Sequence, residues 1–397
     1  MKPKTPSGLP VSREEIRPIY PVHGLPASQE LALKTRPAHG LHVLITGGAG
    51  FIGSNLAEYH LHKGDKVHVV DDLSTGALSN VEAFLSHPHF RFSQADILVW
   101  DDLNKAVTWA DRIYHMAAVV GVHKVLAEPI HCLSTNIAGC ERVLRAASAN
   151  GWKPQIVIPS TAEVYGEAHT SGGALPSEAV DFTGFREDAE LVVGSTAIKR
   201  WNYPVSKITN EAMGLSYGQA FGMEVLVARL FNSVGPRQTG RYGMVLPRFV
   251  KQAVAGEPIT VYGDGTQTRS FCDVRDTVAL LDALASELGN AGEIINVGNN
   301  REISIHALAR LVKELAQSAS PIAFVPYRVA YGEGNVETYR RKPDLTKLLA
   351  HTAYRHQWTL EATVQDLIER ERANMEDARL VAWRPDDARV FQECMVS

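Results

Sequence analysis

The sequence predicts an α/β protein built on a doubly wound parallel sheet, and three observations carry that prediction. Val43-Leu44-Ile45 is an apolar run of the kind a strand buried on both faces requires, and Gly47, Gly50 and Gly53 follow it at the start of a helical pattern through Ala57 and Tyr59. A second apolar strand, Lys66-Val67-His68-Val69-Val70, ends in Asp71-Asp72. Strand-like and helix-like stretches then keep alternating as far as Val225–Leu230, the pattern of a parallel sheet with helical crossovers.

The 397 residues suffice for a large core and two lobes. Against 44 Asp and Glu there are 40 Lys and Arg, a net charge of -4. No basic field is present for nucleic acid, so an acidic ligand has to be met by local arginines. Cys132, Cys140, Cys272 and Cys394 show no CxxC pair and no metal-ligand spacing, which predicts reduced, buried thiols and no metal site. No apolar run approaches the ~18 residues of a membrane span, and the N-terminus lacks the apolar segment of a secretory signal. The expectation is a cytoplasmic protein with neither nucleic-acid nor membrane partners.

Residues 1–40 are rich in proline and polar side chains and are expected to form an irregular extension. The glycine-rich turn comes next. Spaced glycines alone describe many loops, but here strand, loop and helix occur in the order a dinucleotide site demands. Glycine allows the tight turn, the approach of backbone to a pyrophosphate, and close packing of helix on strand. The helix N-terminus then holds phosphate. Asp71, at the end of the second strand, is placed to accept hydrogen bonds from a ribose. His89–Phe92 is a short strand leading to Asp96, which can read an adenine amino group or cap a helix. Arg112–Ala118 is an apolar strand ending in small residues, which leave room for a ligand at the sheet's carboxyl edge. A helix around Ile137–Ala149 leads to the strand Gln155–Ile158, which delivers Ser160-Thr161-Ala162-Glu163 to the same edge.

Tyr203 and Lys207 are four apart and share one face of a helix. A YxxxK pair is common on surfaces; after a dinucleotide loop and a strand ending in Ser160-Thr161 it reads as catalytic. An ammonium beside a phenol lowers the phenol's pKa and suits it to take a proton from a sugar hydroxyl. Beyond Phe231–Arg237 the βα regularity stops. Met244–Ala255 reads as a helix, Ile259–Gly265 as strand and turn, Ile294–Gly298 as a strand, Ser304–Ala316 as an amphipathic helix capped by Ser304, and Leu360–Arg372 as a last helix. The expected division is 41–235 plus about 264–298 for the dinucleotide-binding lobe, 236–263 plus 299–375 for a smaller C-terminal substrate-binding lobe, and 376–397 for a tail.

Taken in order, TGGAGFIG, YxxxK, RLFNSVGPR and RRKPD resemble the extended short-chain dehydrogenases/reductases that act on nucleotide sugars, from about Leu41 to Arg372. The resemblance implies a Rossmann-type fold with NAD as a tightly held, recycled cofactor. It places Gly47, Gly50, Phe51, Ile52, Gly53, Asp71, Asp96, Ile97 and Ala117 at NAD, together with Tyr203 and Lys207. It makes Thr161, Tyr203 and Lys207 the catalytic core, and puts Asn232, Tyr262, Arg269 and Arg341 at the sugar or its diphosphate. It also implies a UDP-sugar substrate oxidised at C4 and a homodimer formed through two helices of the larger lobe. Three outcomes follow from a 4-keto sugar: epimerisation, dehydration, or loss of CO2. Dehydratases of the family carry Asp-Glu where this chain has Ala162-Glu163, and simple C4 epimerases usually lack the carboxylate. The run from Ser160 to Gly166, with REDAELVVG and YGEGNVETYRRKPD, is most similar to UDP-glucuronate decarboxylating enzymes. There the residue matching Arg341 acts next to the substrate carboxylate, and Glu163 joins the catalytic set. The loop His115–Val122 is closer to a bacterial group known only as epimerase/dehydratase, so 4-epimerisation stands as the alternative. A non-catalytic NAD-binding sensor would typically have lost Tyr203 or Lys207.

Overall fold

The computed structural model describes residues 40–166, 182–240, 243–287, 289–331 and 339–382. The apolar runs become β1 (His42–Thr46), β2 (Lys66–Asp71), β3 (Phe90–Gln94), β4 (Arg112–His115), β5 (Gln155–Thr161) and β6 (Val225–Leu230). Between them lie α1 (Phe51–His62), α2 (Leu103–Trp109), α3 (Val122–Ala127), α4 (Pro129–Ala149) and α5 (Asn202–Phe221). The chain continues through β7 (Ser233–Val234), α6 (Val245–Ala255), β8 (Ile259–Tyr262), β9 (Thr268–Ser270), β10 (Cys272–Asp273), α7 (Val274–Ser286) and β11 (Ile294–Val297). It ends with β12 (Glu302–Ser304), α8 (Ile305–Leu315), β13 (Ile322–Val325), α9 (Tyr327–Tyr331), β14 (Arg340–Arg341), α10 (Thr346–His351) and α11 (Leu360–Ala382).

Seven strands form one sheet in the order β11-β6-β5-β4-β1-β2-β3, with every pairing parallel. The order reverses at β1, so the connections leaving β1 and β4 diverge and open a crevice at their carboxyl ends. Alternate residues of each strand face opposite layers. Val43 and Ile45 pack with Leu56 of α1 and Leu281 and Leu284 of α7. Leu44 and Ile113 pack with Val107 of α2 and Val143 and Leu144 of α4. A further core gathers Phe249, Val261, Leu308, Val364 and Ile368 from α6, β8, α8 and α11. The described residues from Gly40 onward form one compact unit.

Three local expectations change. α4 begins at Pro129 and not near Ile137, because proline suits a first helical turn; the buried polar Asn136 had broken the apolar period there. α11 runs past Arg372 to Ala382. Asp96 caps no helix; its Oδ1 accepts the Leu98 N–H at 2.8 Å, closing a turn. Ser304 does cap α8, accepting the Ala307 N–H at 3.1 Å. The extension before Gly40 and the tail from 383 lie outside the described residues.

Under the amino ends of the strands a charged cluster, buried apart from Lys63, is fully partnered. Arg112, 2% exposed, donates from Nη1 to Asp282 Oδ1 at 2.5 Å and to the Tyr114 hydroxyl at 3.3 Å. Lys63 donates to the other Asp282 oxygen, and His60 bridges Asp65 and the Tyr114 hydroxyl. The cluster joins α1, β4 and α7, and its mutual pairing offsets the desolvation of each charge.

Burial also keeps three imidazoles neutral, lowering His68 to about 4 and His115 to about 3 and holding His60 below its ordinary value. The unfolded chain protonates each near pH 6.5, whereas the folded chain does not. Their contribution is therefore full above that pH and is lost as pH falls through the folded values. Thermal melts are expected to show Tm dropping between pH 6.5 and 4, with a shallower drop in His68→Gln. A Tm independent of pH over that window would contradict buried neutral imidazoles.

Candidate active site

At the crevice, each glycine position has a steric reason. Gly47 has φ of +68°, a conformation glycine takes without strain, and its N–H donates to the Val70 carbonyl at 2.8 Å. A Cβ at Gly53 would stand 2.3 Å from the Gly47 carbonyl oxygen, so α1 can begin this close to β1 only without a side chain there. Gly50, Phe51 and Ile52 carry the first turn of α1 along the cleft wall, with Ile97 and Ala117 on the same surface. Asp71 does more than the sequence suggested. Its Oδ2 accepts the Ala49 N–H at 2.9 Å and its Oδ1 the Leu73 N–H at 2.8 Å, so it shapes the loop while lining the cleft. Burial raises its pKa and these N–H groups pull it back. A loop stripped of Cβ atoms, a helix N-terminus and a carboxylate fit a dinucleotide.

Thr161 ends β5, and Tyr203 and Lys207 lie one turn apart on α5. The Thr161 hydroxyl, which accepts the Glu163 N–H at 3.2 Å, stands near enough to the Tyr203 phenol to favour its ionised form. Lys207, 4% exposed, donates from Nζ to the Pro159 carbonyl at 3.0 Å and stands 6.0 Å from the Tyr203 ring. The expected depression of the phenol is corrected here. Burial raises the Tyr203 pKa, the Glu163 charge adds to it, and the Thr161 hydroxyl opposes it. Lys207 is itself brought down to about 8 by burial. The protein groups alone therefore hold Tyr203 protonated.

Glu163 follows on the short turn after Thr161, and its Oε1 lies 3.7 Å from Arg341 Nη1. The neighbouring Ala162 is buried in an apolar cluster with Val164, Tyr165, Phe185 and Phe231, leaving no acid at that place. β14 pairs with β9 so that Arg341 is in register with Arg269. Asn232, at φ +35°, donates from Nδ2 to the Ser270 carbonyl at 2.9 Å. Tyr262 lies under the Arg248 guanidinium, 3.8 Å from the ring centroid. Every residue nominated from the sequence, from Gly47 to Arg341, lines this one cleft of about 680 Å³.

Several cleft residues were missed. Arg200, Arg237 and Arg248 share the wall. Arg237 lay within the quoted RLFNSVGPR stretch, and Arg200 stands three residues before Tyr203; Arg248 had no signal in its helix. Asn136, fully buried, accepts the Val119 N–H at 2.7 Å and donates to its carbonyl at 3.2 Å and to the Ser206 hydroxyl at 3.0 Å. It pins the loop after β4 to α5 beside Tyr203.

Residues 43–298 match the NAD dependent epimerase/dehydratase family. The chain belongs to that family. NAD is its cofactor, and it is an enzyme of the nucleotide-sugar branch. A UDP-N-acetyl-alpha-D-glucosaminuronate decarboxylase from Bacillus cytotoxicus is 37% identical over 77% of this chain and 89% of its own length. UDP-glucuronic acid decarboxylase 1 of Xenopus tropicalis is 35% identical over 77% of this chain, which spans 66% of that longer protein. Among solved structures, UDP-glucuronic acid 4-epimerase from Bacillus cereus, bound to UDP-glucuronic acid and NAD, superposes with a TM-score of 0.72 at 26% identity. That match covers 84% of this chain and 99% of the epimerase. The family's dependence on NAD gives the glycine cradle a direct test. Gly53→Ala is expected to weaken NAD binding by at least about tenfold, measured by calorimetry, because the Gly47 carbonyl has to move. Unchanged affinity would mean that the close approach does not shape the site.

Proposed function

We propose that the enzyme oxidises a UDP-uronate at C4 and then removes C6 as CO2, converting UDP-glucuronate to UDP-xylose or a related UDP-pentose. The observation that carries this reading is the Glu163–Arg341 pair standing in the same cleft as Tyr203. Tyr203 takes the C4 hydroxyl proton, with the Thr161 hydroxyl and Lys207 beside it. NAD, which the glycine loop, Asp71 and Lys207 would hold, would supply the hydride acceptor and later the reductant, and its positive charge would favour the ionised phenol. The resulting 4-keto sugar has its carboxylate β to the ketone. When the C5–C6 bond breaks, its electron pair becomes the C4–C5 enolate and CO2 leaves. C5 then takes a proton before C4 is reduced. Arg341, oriented by Glu163, offsets the negative charge that develops there. Arg248 and Arg269 supply local cations for the diphosphate that a net charge of -4 does not.

The names of the Bacillus cytotoxicus and Xenopus tropicalis relatives support a uronate substrate, and they differ in the substituent at C2. UDP-sugar 4-epimerisation is the second reading, favoured by the likeness to the Bacillus cereus enzyme. Segments 236–263 and 299–375 form the substrate-binding part in this reading, which also takes the enzyme as a cytoplasmic homodimer. Incubation with UDP-glucuronate followed by mass and NMR analysis of the product is the test. Loss of CO2 is expected; an isomer of unchanged mass would transfer the assignment to epimerisation. Tyr203→Phe is expected to lower turnover by about 10² to 10⁴ while NAD stays bound, and near-normal turnover would remove Tyr203 as the base. Arg341→Gln is expected to slow CO2 release more than formation of the keto sugar, followed as NADH absorbance in single turnover.

A further inference from the structure

α5 carries Tyr203, Lys207 and Glu211 at intervals of four, so the three side chains stand in line on one face. Each meets a different residue at the end of β5. Tyr203 is influenced by the nearby Thr161 hydroxyl, Lys207 donates to the Pro159 carbonyl, and Glu211 Oε1 accepts the Ser160 hydroxyl at 2.5 Å. The first two contacts belong to the reacting groups. The third does not, because Glu211 is 4% exposed and forms no part of the cleft wall.

Arg229 completes the arrangement. It is the cross-strand neighbour of Ser160 in β6, and its Nε and Nη2 donate to the two Glu211 oxygens at 3.0 and 2.8 Å. Its Nη1 donates to the Tyr165 hydroxyl at 3.0 Å and to the Glu187 carbonyl at 3.1 Å. Tyr165 stands on the turn that carries Glu163 and donates to Asn296 Oδ1 at 2.7 Å. Asn296 in turn donates to the Phe185 carbonyl at 2.8 Å, and Phe185 pairs with Pro343, two residues past Arg341. A fully desolvated carboxylate–guanidinium pair often adds less stability than an apolar pair of equal volume. What this pair adds is a defined bridge between the helix of Tyr203 and the segments of Glu163 and Arg341.

We propose that Glu211 and Arg229 are positioning residues that set α5 against β5, and so place Tyr203 and Lys207 relative to Thr161, Glu163 and Arg341. The inference rests on the reading of Tyr203 and Lys207 as reacting groups and is indifferent to the fate of the keto sugar. Charge gives it a second handle. Lys207 is faced by Cys132 and Cys140 of α4, Glu211 and Tyr203 of α5, and His115 of β4. Burial brings it down to about 8, against the upward pull of Cys140, Cys132 and Glu211. Burial keeps both thiols neutral near pH 7, pushing Cys132 up to about 11 and Cys140 to about 12. That leaves the Glu211 carboxylate, salt-bridged to Arg229, as the anion supporting the ammonium.

Glu211→Gln keeps the shape and removes the charge. In the NAD-loaded full chain it is expected to lower kcat about tenfold to a hundredfold with KM for the UDP-sugar and NAD content unchanged. Lys207 would then lose its proton more readily, so the alkaline limb of kcat/KM is expected to move to lower pH. Because the single variant leaves Arg229 unpaired, the decisive protein is Glu211→Gln with Arg229→Met. It is expected to regain the wild-type Tm yet keep the slow turnover, while the limb returns toward its wild-type position because both charges are gone. Wild-type kcat with a wild-type limb in either folded variant would overturn the proposal. Titration of Lys207 by lysine-labelled NMR in the NAD complex of Glu211→Gln reads the same shift without any substrate. An unchanged Lys207 pKa there would overturn the proposal even if no UDP-uronate were turned over, an outcome that separately removes the proposed function.

Discussion

Almost everything at the site depends on how α5 lies against the carboxyl end of β5. A helix crossing the end of a parallel strand brings side chains four residues apart onto successive strand residues. Here those side chains are a phenol, an ammonium and a carboxylate. None can be buried without a partner at a cost below a few kcal/mol, and each meets a polar group of Thr161, Pro159 or Ser160. Satisfying buried polar groups and aligning reacting groups are therefore one geometric condition. Movement of α5 by a fraction of a turn would break all three contacts together.

The cofactor end works by a different economy, the removal of atoms. Gly53 lets α1 approach β1, Gly47 turns the chain through a positive φ, and Asp71 holds the loop from below through the Ala49 and Leu73 N–H groups. One carboxylate thus stabilises the loop conformation and faces the cleft. The two ends meet at the reversal of strand order between β1 and β4, where the divergence of the connections leaves space no side chain fills. Asn136 carries the α5 alignment across that gap by pinning both backbone groups of Val119.

The sheet, the glycine loop and the Tyr203–Lys207 pair were legible because each had a local signature, whereas Asn232, Tyr262, Arg269 and Arg341 were nominated only through the family resemblance. Buried strands read as unbroken apolar runs, the glycines precede a helical period, and Tyr203 and Lys207 share a helical interval. What stayed hidden depends on tertiary pairing. The start of α4 was missed because Asn136 is polar and buried, so it spoils the period that would have announced the helix. Arg248 gave no sign, since its stacking on Tyr262 joins two distant elements. Arg229 did leave a trace. It is the one charged residue in the strand Val225–Leu230, and a charge inside a strand buried on both faces requires a buried partner. The Tyr203 pKa was misjudged for the same reason, because spacing shows that Lys207 is near but not that it points to Pro159.

Choice among the three outcomes for a 4-keto sugar comes down to what stands beside C5 and C6. Dehydration asks for an acid next to the base, and that place holds the buried methyl of Ala162. Epimerisation asks only that the ketone present its other face, and on a uronate it too would place a carboxylate at the sugar end. Glu163 and Arg341 form an ion pair, 3.7 Å apart, in the cleft that Tyr203 also lines. A guanidinium in this cleft suits a substrate that brings its own carboxylate, and that carboxylate departs as a neutral molecule.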